Sequence, residues 1–244
     1  MTKTINVTTT DGEMALYDAE PEGSDGSEGQ DAVLAVIVIQ EAFGVNEHIE
    51  DVTRRFASAG YRAVSPHLFH RTGDPVLGYG EIEKVMPHMQ ALTEPGLRAD
   101  LDATISYLEQ NGFERSQIGV VGFCMGGSVT FLAAVRYVLG AAVTFYGGGV
   151  TEGRFGMPPL VEMAASLQTP WLGLFGDLDH GIPVEQVEIL RSAIADSPVD
   201  AEIVRYAEAG HGFHCDKRPD YHQASATDAW GRTLAWFSEH LKAG

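Results

Sequence analysis

The sequence predicts an α/β protein with a mostly parallel central sheet and helices on both faces. The segment 32–39 is continuously apolar and rich in β-branched residues, which is typical of a parallel strand buried on both sides. Strand-like segments then alternate with helical patterns of ordinary length along the chain. With 244 residues and 44% hydrophobic content, the chain is long enough for one such unit, so we predict a single domain over residues 1–244.

The individual elements follow from periodicity and from start and stop signals. Asn46 is a candidate N-cap, Gly60 a helix stop, and Pro183 fits the first position of a helix. In chain order we expect a hairpin of 3–9 and 14–19, a mobile surface loop at 21–30, strand 32–39, a helix between Asn46 and Gly60, strand 61–65, a short helix near 81–89, a longer helix closed by Asn111-Gly112, strand 117–121, helix 125–138, strands 141–146 and 171–175, a helix from 183, strand 201–206 and a C-terminal helix.

Composition restricts the possible partners. The net charge is −18 and the isoelectric point is near 4.7, which argues against nucleic acid and anionic membrane surfaces. The first residues lack an apolar signal region, and no apolar run approaches the ~20 residues of a membrane span. Two cysteines cannot form a disulfide framework, so we expect a reducing, cytoplasmic location. As partners we expect small-molecule substrates, with the chain acting as a monomer or a small homo-oligomer.

The segment Gly122-Phe123-Cys124-Met125-Gly126-Gly127 carries the strongest functional signal. It follows a predicted strand and precedes a predicted helix, as in the nucleophile elbow Gly-x-Ser-x-Gly, with a thiol in place of the hydroxyl. Cys124 is therefore a candidate nucleophile, and the backbone N–H of Met125 a candidate oxyanion donor. The alternative is a buried structural cysteine in a glycine-rich turn.

A thiol nucleophile needs a base and an acid that orients the base. His211 lies between glycines directly after the last strand, where a solvated loop histidine is the alternative. Asp177 and Asp179 both follow strand 171–175; we choose Asp179, which is nearer the next helix, and leave Asp177 open. The order nucleophile, acid, histidine is that of α/β-hydrolases, so the expected fold is an α/β-hydrolase fold.

Four motifs in this order resemble the dienelactone hydrolase (carboxymethylenebutenolidase) family. They are Gln40-Glu41-Ala42-Phe43-Gly44-Val45-Asn46 with the strand before it, the elbow 122–127, Gly-Asp-Leu-Asp-His-Gly-Ile-Pro at 176–183, and Ala-Gly-His-Gly-Phe at 209–213. The resemblance implies a triad of Cys124, Asp179 and His211 and places the second oxyanion N–H on Ala42. It also implies that Glu41 contacts the thiol and helps to ionise it when substrate binds. Without the resemblance, the sequence would leave Glu41 as a surface acid at the end of a strand.

The resemblance implies hydrolysis of an enol-lactone or a related ester through an acyl-thioester, with no metal or organic cofactor. Family members hold a substrate carboxylate with arginines, one of them shortly after the histidine. The matching stretch here offers His214 and Arg218, and the loop region 67–95 offers Arg71 and Lys84. We regard these four as candidate substrate-binding residues. The sequence leaves the physiological substrate open.

Several other functions compete with this interpretation. A general carboxylesterase would use the same scaffold and triad. A metal site could draw on His211, His214, Cys215 and Asp216, which are ligand types at close spacing. A redox protein could pair Cys124 with Cys215, and a binding module could keep the fold without the chemistry.

Overall fold

The structure of the protein is a computed structural model that describes residues 1–21 and 34–242. The predicted mobile loop at 21–30 lies outside the described residues except for its first position. Eight strands are described: β1 (Thr2–Thr9), β2 (Gly12–Ala19), β3 (Ala35–Ile39), β4 (Arg62–Pro66), β5 (Ile118–Phe123), β6 (Ala141–Phe145), β7 (Trp171–Gly176) and β8 (Ala201–Tyr206).

All eight strands form one sheet in the order β1-β2-β4-β3-β5-β6-β7-β8. The pairs β1·β2 and β2·β4 are antiparallel, whereas every pair from β4 to β8 is parallel. β3, β5 and β6 are completely buried, as their continuous apolar sequences predict. The predicted α/β fold with a mostly parallel sheet is confirmed.

The described residues form seven α-helices, which connect and cover the strands. They are α1 (Glu47–Ser58), α2 (Ile82–Gln90), α3 (Glu94–Gln110), α4 (Met125–Arg136), α5 (Leu160–Met163), α6 (Val184–Ile194) and α7 (Gln223–His240). Asn46 caps α1 as predicted, since its side chain accepts a hydrogen bond from the amide of Ile49. Pro183 precedes α6 rather than opening it. The four-residue helix α5 was not predicted, because one helical turn is too short for a periodic pattern.

The carboxyl ends of the parallel strands gather the candidate residues at one edge of the sheet. Glu41 follows β3, Cys124 follows β5, Asp179 follows β7, and His211 follows β8. Loops at this edge are the usual ligand sites of open parallel sheets. The fold therefore brings together side chains that lie up to 170 positions apart in the sequence. None of the described helices is long and apolar enough to span a membrane.

Candidate active site

Cys124 lies in a sharp turn between β5 and α4. Its backbone has φ 54° and ψ −113°, a conformation that residues other than glycine rarely adopt. Its amide donates to the carbonyl of Phe145 at 3.0 Å, which fixes the turn against β6. A Cβ at Gly122 would lie 2.1 Å from the carbonyl oxygen of Gly126, so only glycine fits there.

His211 connects the thiol to a carboxylate. Its Nε2 lies 3.0 Å from Cys124 Sγ, and its Nδ1 lies 2.6 Å from Asp179 Oδ2. The other carboxylate oxygen of Asp179 accepts the amide of Gly181 at 2.8 Å, which holds the acid in place. The candidate nucleophile, base and orienting acid thus form a chain of hydrogen-bond contacts through His211.

The second aspartate of the 176–183 motif faces another partner. Asp177 forms an ion pair with Arg205 at 2.7 Å between its Oδ1 and the guanidinium Nε. That arginine hydrogen bond lowers the pKa of Asp177. Of the two aspartates left open by the sequence, the structure therefore places Asp179 next to the histidine.

The protonation of His211 reflects its two partners. Burial alone lowers the pKa of His211, but the negative charge of Cys124 and the hydrogen bond to Asp179 raise it to about 10. An imidazolium 3.0 Å from sulfur stabilises a thiolate, which is the reactive form of cysteine.

Glu41 is completely buried at the end of β3. Its Oε1 accepts the hydroxyl of Tyr146 at 3.4 Å and lies 3.6 Å from Arg218, whereas its Oε2 has no hydrogen-bond partner among the described residues. Burial raises the pKa of Glu41, although Arg218 and His211 oppose the increase. The resemblance implies a contact with the Cys124 thiol, but among the described residues the Glu41 side chain forms its hydrogen bond with Tyr146 and its ion pair with Arg218.

The two candidate oxyanion residues come from adjoining segments. Ala42 is in the turn after β3, and Met125 is the first residue of α4. Gly126 brings these segments together, since a Cβ there would lie 2.4 Å from the carbonyl oxygen of Gln40. Both candidates are buried directly beside the elbow.

Two of the four predicted substrate-binding residues lie elsewhere. Arg71 forms ion pairs with Asp11 and Asp100 near the β1–β2 turn, and Lys84 pairs with Glu81 on the surface. Neither lines the cleft beside Cys124. The sequence alone could not show that Arg71 pairs with Asp11 in the β1–β2 turn, because the two residues lie 60 positions apart in the chain.

The other two predicted residues, Arg218 and His214, are also absent from the lining of the cleft beside Cys124. Arg218 is held by Glu41 and stands over the rings of Phe43 and Tyr79 at about 6 Å. His214 is buried 5.2 Å from the Phe123 ring, away from the cleft. Arg218 therefore contacts the candidate catalytic acid, whereas His214 is a packing residue.

The metal ligands considered from sequence do not form a cluster. In residues 1–21 and 34–242, no group of three or more histidine, cysteine or acidic side chains is arranged to hold a metal ion. His211 is engaged by Cys124 and Asp179, and Cys215 donates its thiol to the Tyr79 hydroxyl at 3.1 Å.

A cleft of about 430 Å³ opens at the thiol. It is lined by Cys124, Gly148, Arg154, Leu178, Asp179, His180, Gly181, Ile182, Gly210, His211 and Asp220. A larger groove of about 500 Å³ between β1 and α3 has no cysteine or histidine among its lining residues. Arg154 and Leu178 were missed from sequence, where Arg154 follows the glycine-rich run 147–149 without a recognisable motif.

Comparison with known proteins identifies the family. The sequence model of the dienelactone hydrolase family matches residues 24–241. The chain belongs to the dienelactone hydrolase family. It is a carboxymethylenebutenolidase-like hydrolase, a carboxylic ester hydrolase, as the four motifs predict.

Individual relatives agree with this membership. A Salmonella typhimurium protein provisionally named carboxymethylenebutenolidase is 42% identical over 231 residues, covering 93% of this chain and 83% of the relative. The crystal structure of a provisionally named dienelactone hydrolase from Klebsiella pneumoniae has a TM-score of 0.85 at 38% identity and covers 98% of both chains. An acylaminoacyl peptidase of Pyrococcus horikoshii, at 15% identity and a TM-score of 0.75, shares the fold. The predicted α/β-hydrolase fold is thereby confirmed.

A second histidine, His48, packs beside His214 in the interior. Their ring centroids are 5.9 Å apart, and His48 Nε2 and His214 Nδ1 are buried without a hydrogen-bond partner among the described residues. Burial lowers the pKa of His48 to about 4, with Asp216 and Asp51 opposing the effect, and burial also lowers the pKa of His214. Both imidazoles are therefore neutral in the folded protein at neutral pH.

This histidine pair predicts acid-sensitive stability. Below pH 6.5 the unfolded chain binds protons at His48 and His214, which the folded protein binds only at lower pH, so stability falls as the pH drops from about 6.5 towards 4. We expect His48 to contribute about 2–3 kcal/mol to this loss. Urea unfolding of the wild type and of His48→Phe at pH 7.5 and pH 5 measures it.

In that comparison, His48→Phe should lose less stability on acidification than the wild type. The matched control is His180→Gln, which removes an exposed histidine and should keep the wild-type pH dependence. Identical losses in the wild type and His48→Phe would contradict the prediction.

Proposed function

We propose that the protein hydrolyses enol-lactones or related esters through a triad of Cys124, His211 and Asp179. The observation that carries the proposal is the pair of contacts from His211, 3.0 Å to the Cys124 sulfur and 2.6 Å to the Asp179 carboxylate, beside an open cleft. Such a chain of contacts is the arrangement that acyl transfer requires. Membership of the family supports the same chemistry.

In the first half of the reaction, the Cys124 thiolate attacks the ester carbonyl. The negative charge that develops on the carbonyl oxygen is held by the backbone N–H groups of Ala42 and Met125. Collapse of the tetrahedral intermediate breaks the ester C–O bond and leaves an acyl-thioester on Cys124. The enol or alcohol oxygen takes a proton from His211, and in a lactone it stays tethered to the acyl group.

In the second half, His211 removes a proton from water, and the resulting hydroxide attacks the thioester carbonyl. The C–S bond then breaks, and the free carboxylic acid leaves. Asp179 keeps the His211 ring oriented throughout, because its carboxylate accepts the Nδ1 proton. No step in this sequence uses a group from outside the chain other than water.

We propose that Glu41 acts as a proton acceptor close to the thiol when substrate enters. A buried carboxylate with a raised pKa accepts a proton more readily than an ordinary one, and the Oε2 of Glu41 has no hydrogen-bond partner within the described segments. Arg218 and Tyr146 hold the other oxygen, so they set the position from which Glu41 acts.

A general carboxylesterase is the second candidate. The observation that supports it is that Arg218 forms an ion pair with Glu41, while Arg71 and Lys84 lie away from the cleft. The residues chosen from sequence therefore do not offer the expected arginine contact with the carboxylate of a lactone.

A substrate panel tests the proposal. We expect larger kcat/KM values for enol-lactones than for saturated lactones, because an enolate is a better leaving group than an alkoxide. We also expect larger values than for simple aryl esters, whose leaving group is comparable, because the proposed enzyme selects the lactone. Mass spectrometry after rapid quenching should show an acyl adduct of Cys124. Equal rates on enol-lactones and aryl esters would favour the carboxylesterase. No turnover and no adduct with any ester would contradict the hydrolase mechanism itself.

The remaining expectations fit this function. Both cysteines are free, and burial raises the pKa of Cys215 to about 11, which makes it a poor resolving thiol for a redox cycle. We propose that the chain works as one catalytic domain in a reducing, cytoplasmic compartment, as a monomer or small homo-oligomer, on small lactones or esters. Size-exclusion chromatography with light scattering measures the assembly.

A further inference from the structure

Arg154 places a positive charge at the mouth of the cleft. It belongs to the loop between β6 and α5, is exposed, and lines the same cleft as Cys124. The loop is anchored next to the elbow, because the hydroxyl of Ser128 in α4 donates to the carbonyl of Gly148 at 2.7 Å. A guanidinium on this loop can therefore approach a substrate bound to the thiol.

The arrangement of Arg154 depends on the glycines before it. A Cβ on Gly148 would lie 2.8 Å from Arg154 Nη1, and one on Gly149 would lie 3.2 Å from its Cγ. The arginine side chain therefore packs against the backbone of Gly148 and Gly149 at the wall of the cleft. A larger residue at position 148 would push the guanidinium away.

Arg154 differs from the other cations near the site in having no carboxylate partner. Within the described residues it forms no ion pair, whereas Arg218 is held by Glu41 at 3.6 Å and Arg205 by Asp177 at 2.7 Å. The acid on the cleft wall, Asp220, lies 3.9 Å from Arg218. In a chain of net charge −18, an uncompensated arginine beside the nucleophile is a local attraction for an anion.

The cleft also has apolar side chains in its wall. Leu178 is 56% exposed and lines the cleft together with Ile182. A ligand that matches these walls has an apolar or planar body and one anionic end. Arginine binds a carboxylate through two parallel N–H···O bonds, which makes a carboxylate the best match.

We propose that Arg154 is the specificity-determining residue of this enzyme and selects esters or lactones that carry a carboxylate. The inference deepens the proposed function and rests on it, since it assumes that Cys124 attacks an ester in this cleft. It assigns the anion-binding role to the β6–α5 loop, whereas Arg218 serves Glu41.

The test compares matched pairs of aryl esters. One pair is 4-nitrophenyl valerate and mono-4-nitrophenyl glutarate, which differ by a carboxylate on the acyl chain; the other is phenyl butyrate and 3-carboxyphenyl butyrate, which differ by a carboxylate on the leaving group. The measured quantity is the ratio of kcat/KM for the anionic to the neutral ester. The variants are Arg154→Ala, Arg154→Lys and, as the matched control, Arg98→Ala, which removes an exposed arginine of α3 that does not line the cleft.

We expect Arg154→Ala to lower that ratio roughly 10- to 100-fold for at least one pair, since hydrogen bonds to charged groups carry effects of this size. Arg154→Lys should restore part of it, and Arg98→Ala should leave it at the wild-type value. Added salt should raise KM for the anionic ester in the wild type and have little effect in Arg154→Ala.

An unchanged ratio in Arg154→Ala for both pairs would overturn the inference, and so would an equal fall in the rates of neutral and anionic esters. Either result would leave the proposed function standing, because the neutral esters would still report Cys124 chemistry in the wild type. A wild-type protein that hydrolyses no ester of either pair would instead contradict the proposed function.

Discussion

Replacing Cys124 by alanine should lower kcat/KM for ester hydrolysis roughly 10⁴-fold or more, because a covalent mechanism has no substitute for its nucleophile. The expectation rests on the contact of Cys124 Sγ with His211 at 3.0 Å and on its place in the cleft. Steady-state kinetics with an aryl ester, together with iodoacetamide labelling of intact protein, provide the measurement. Cys124→Ser should keep weak activity, since a hydroxyl can be activated by the same histidine.

The matched control is Cys215→Ser. It removes the other free thiol but keeps a hydrogen-bond donor for Tyr79, so activity and labelling at Cys124 should persist. Loss of activity in Cys215→Ser with retention in Cys124→Ala would reverse the assignment of the nucleophile. Retention in both variants would exclude thiol catalysis.

Replacing Asp179 by asparagine should lower kcat roughly 10³- to 10⁴-fold with little effect on folding. An amide of the same shape can donate to His211 Nδ1 and thereby hold the tautomer that cannot accept a proton from the thiol. The fall should appear in kcat rather than in KM, because Asp179 acts through the histidine. The dependence of kcat on pH should change as well, since Asp179 helps to raise the pKa of His211.

Asp177→Asn is the matched control for this experiment. It removes a carboxylate two residues away on the same loop, where the partner is Arg205 in a solvent-accessible ion pair. Ion pairs near the surface contribute only about 0–1 kcal/mol to stability, so the variant should fold. Because Asp177 pairs with Arg205 and not with His211, kcat should stay near the wild-type value. If Asp177→Asn were the more damaging change, the orienting acid would be Asp177.

Much of the site was predictable because parallel sheets gather strand ends at one edge. Once β5, β7 and β8 were located, Cys124, Asp179 and His211 had to approach one another, whatever their separation in sequence. The glycines of the elbow added independent support, because their steric role is local and readable from spacing.

The charged residues around the substrate were not predictable in this way. Arg71 is bound by Asp11 and Asp100 through contacts that depend on how the hairpin packs on the rest of the fold. Arg154, which lines the cleft, has no such carboxylate partner in the described part of the chain. The lack of a partner cannot be predicted from a sequence motif. Long side chains reach several ångströms in many directions, so their partners follow only from the assembled structure.

The backbone of Cys124 has a consequence for how such an enzyme can be improved. A non-glycine residue at φ 54° and ψ −113° costs the folded state about 1–3 kcal/mol, which the neighbouring sheet must offset. Glycine would relieve this strain but would delete the sulfur. A selection for heat resistance alone would therefore favour inactive proteins at this position, and a stabilised variant has to be selected for turnover and for melting temperature together.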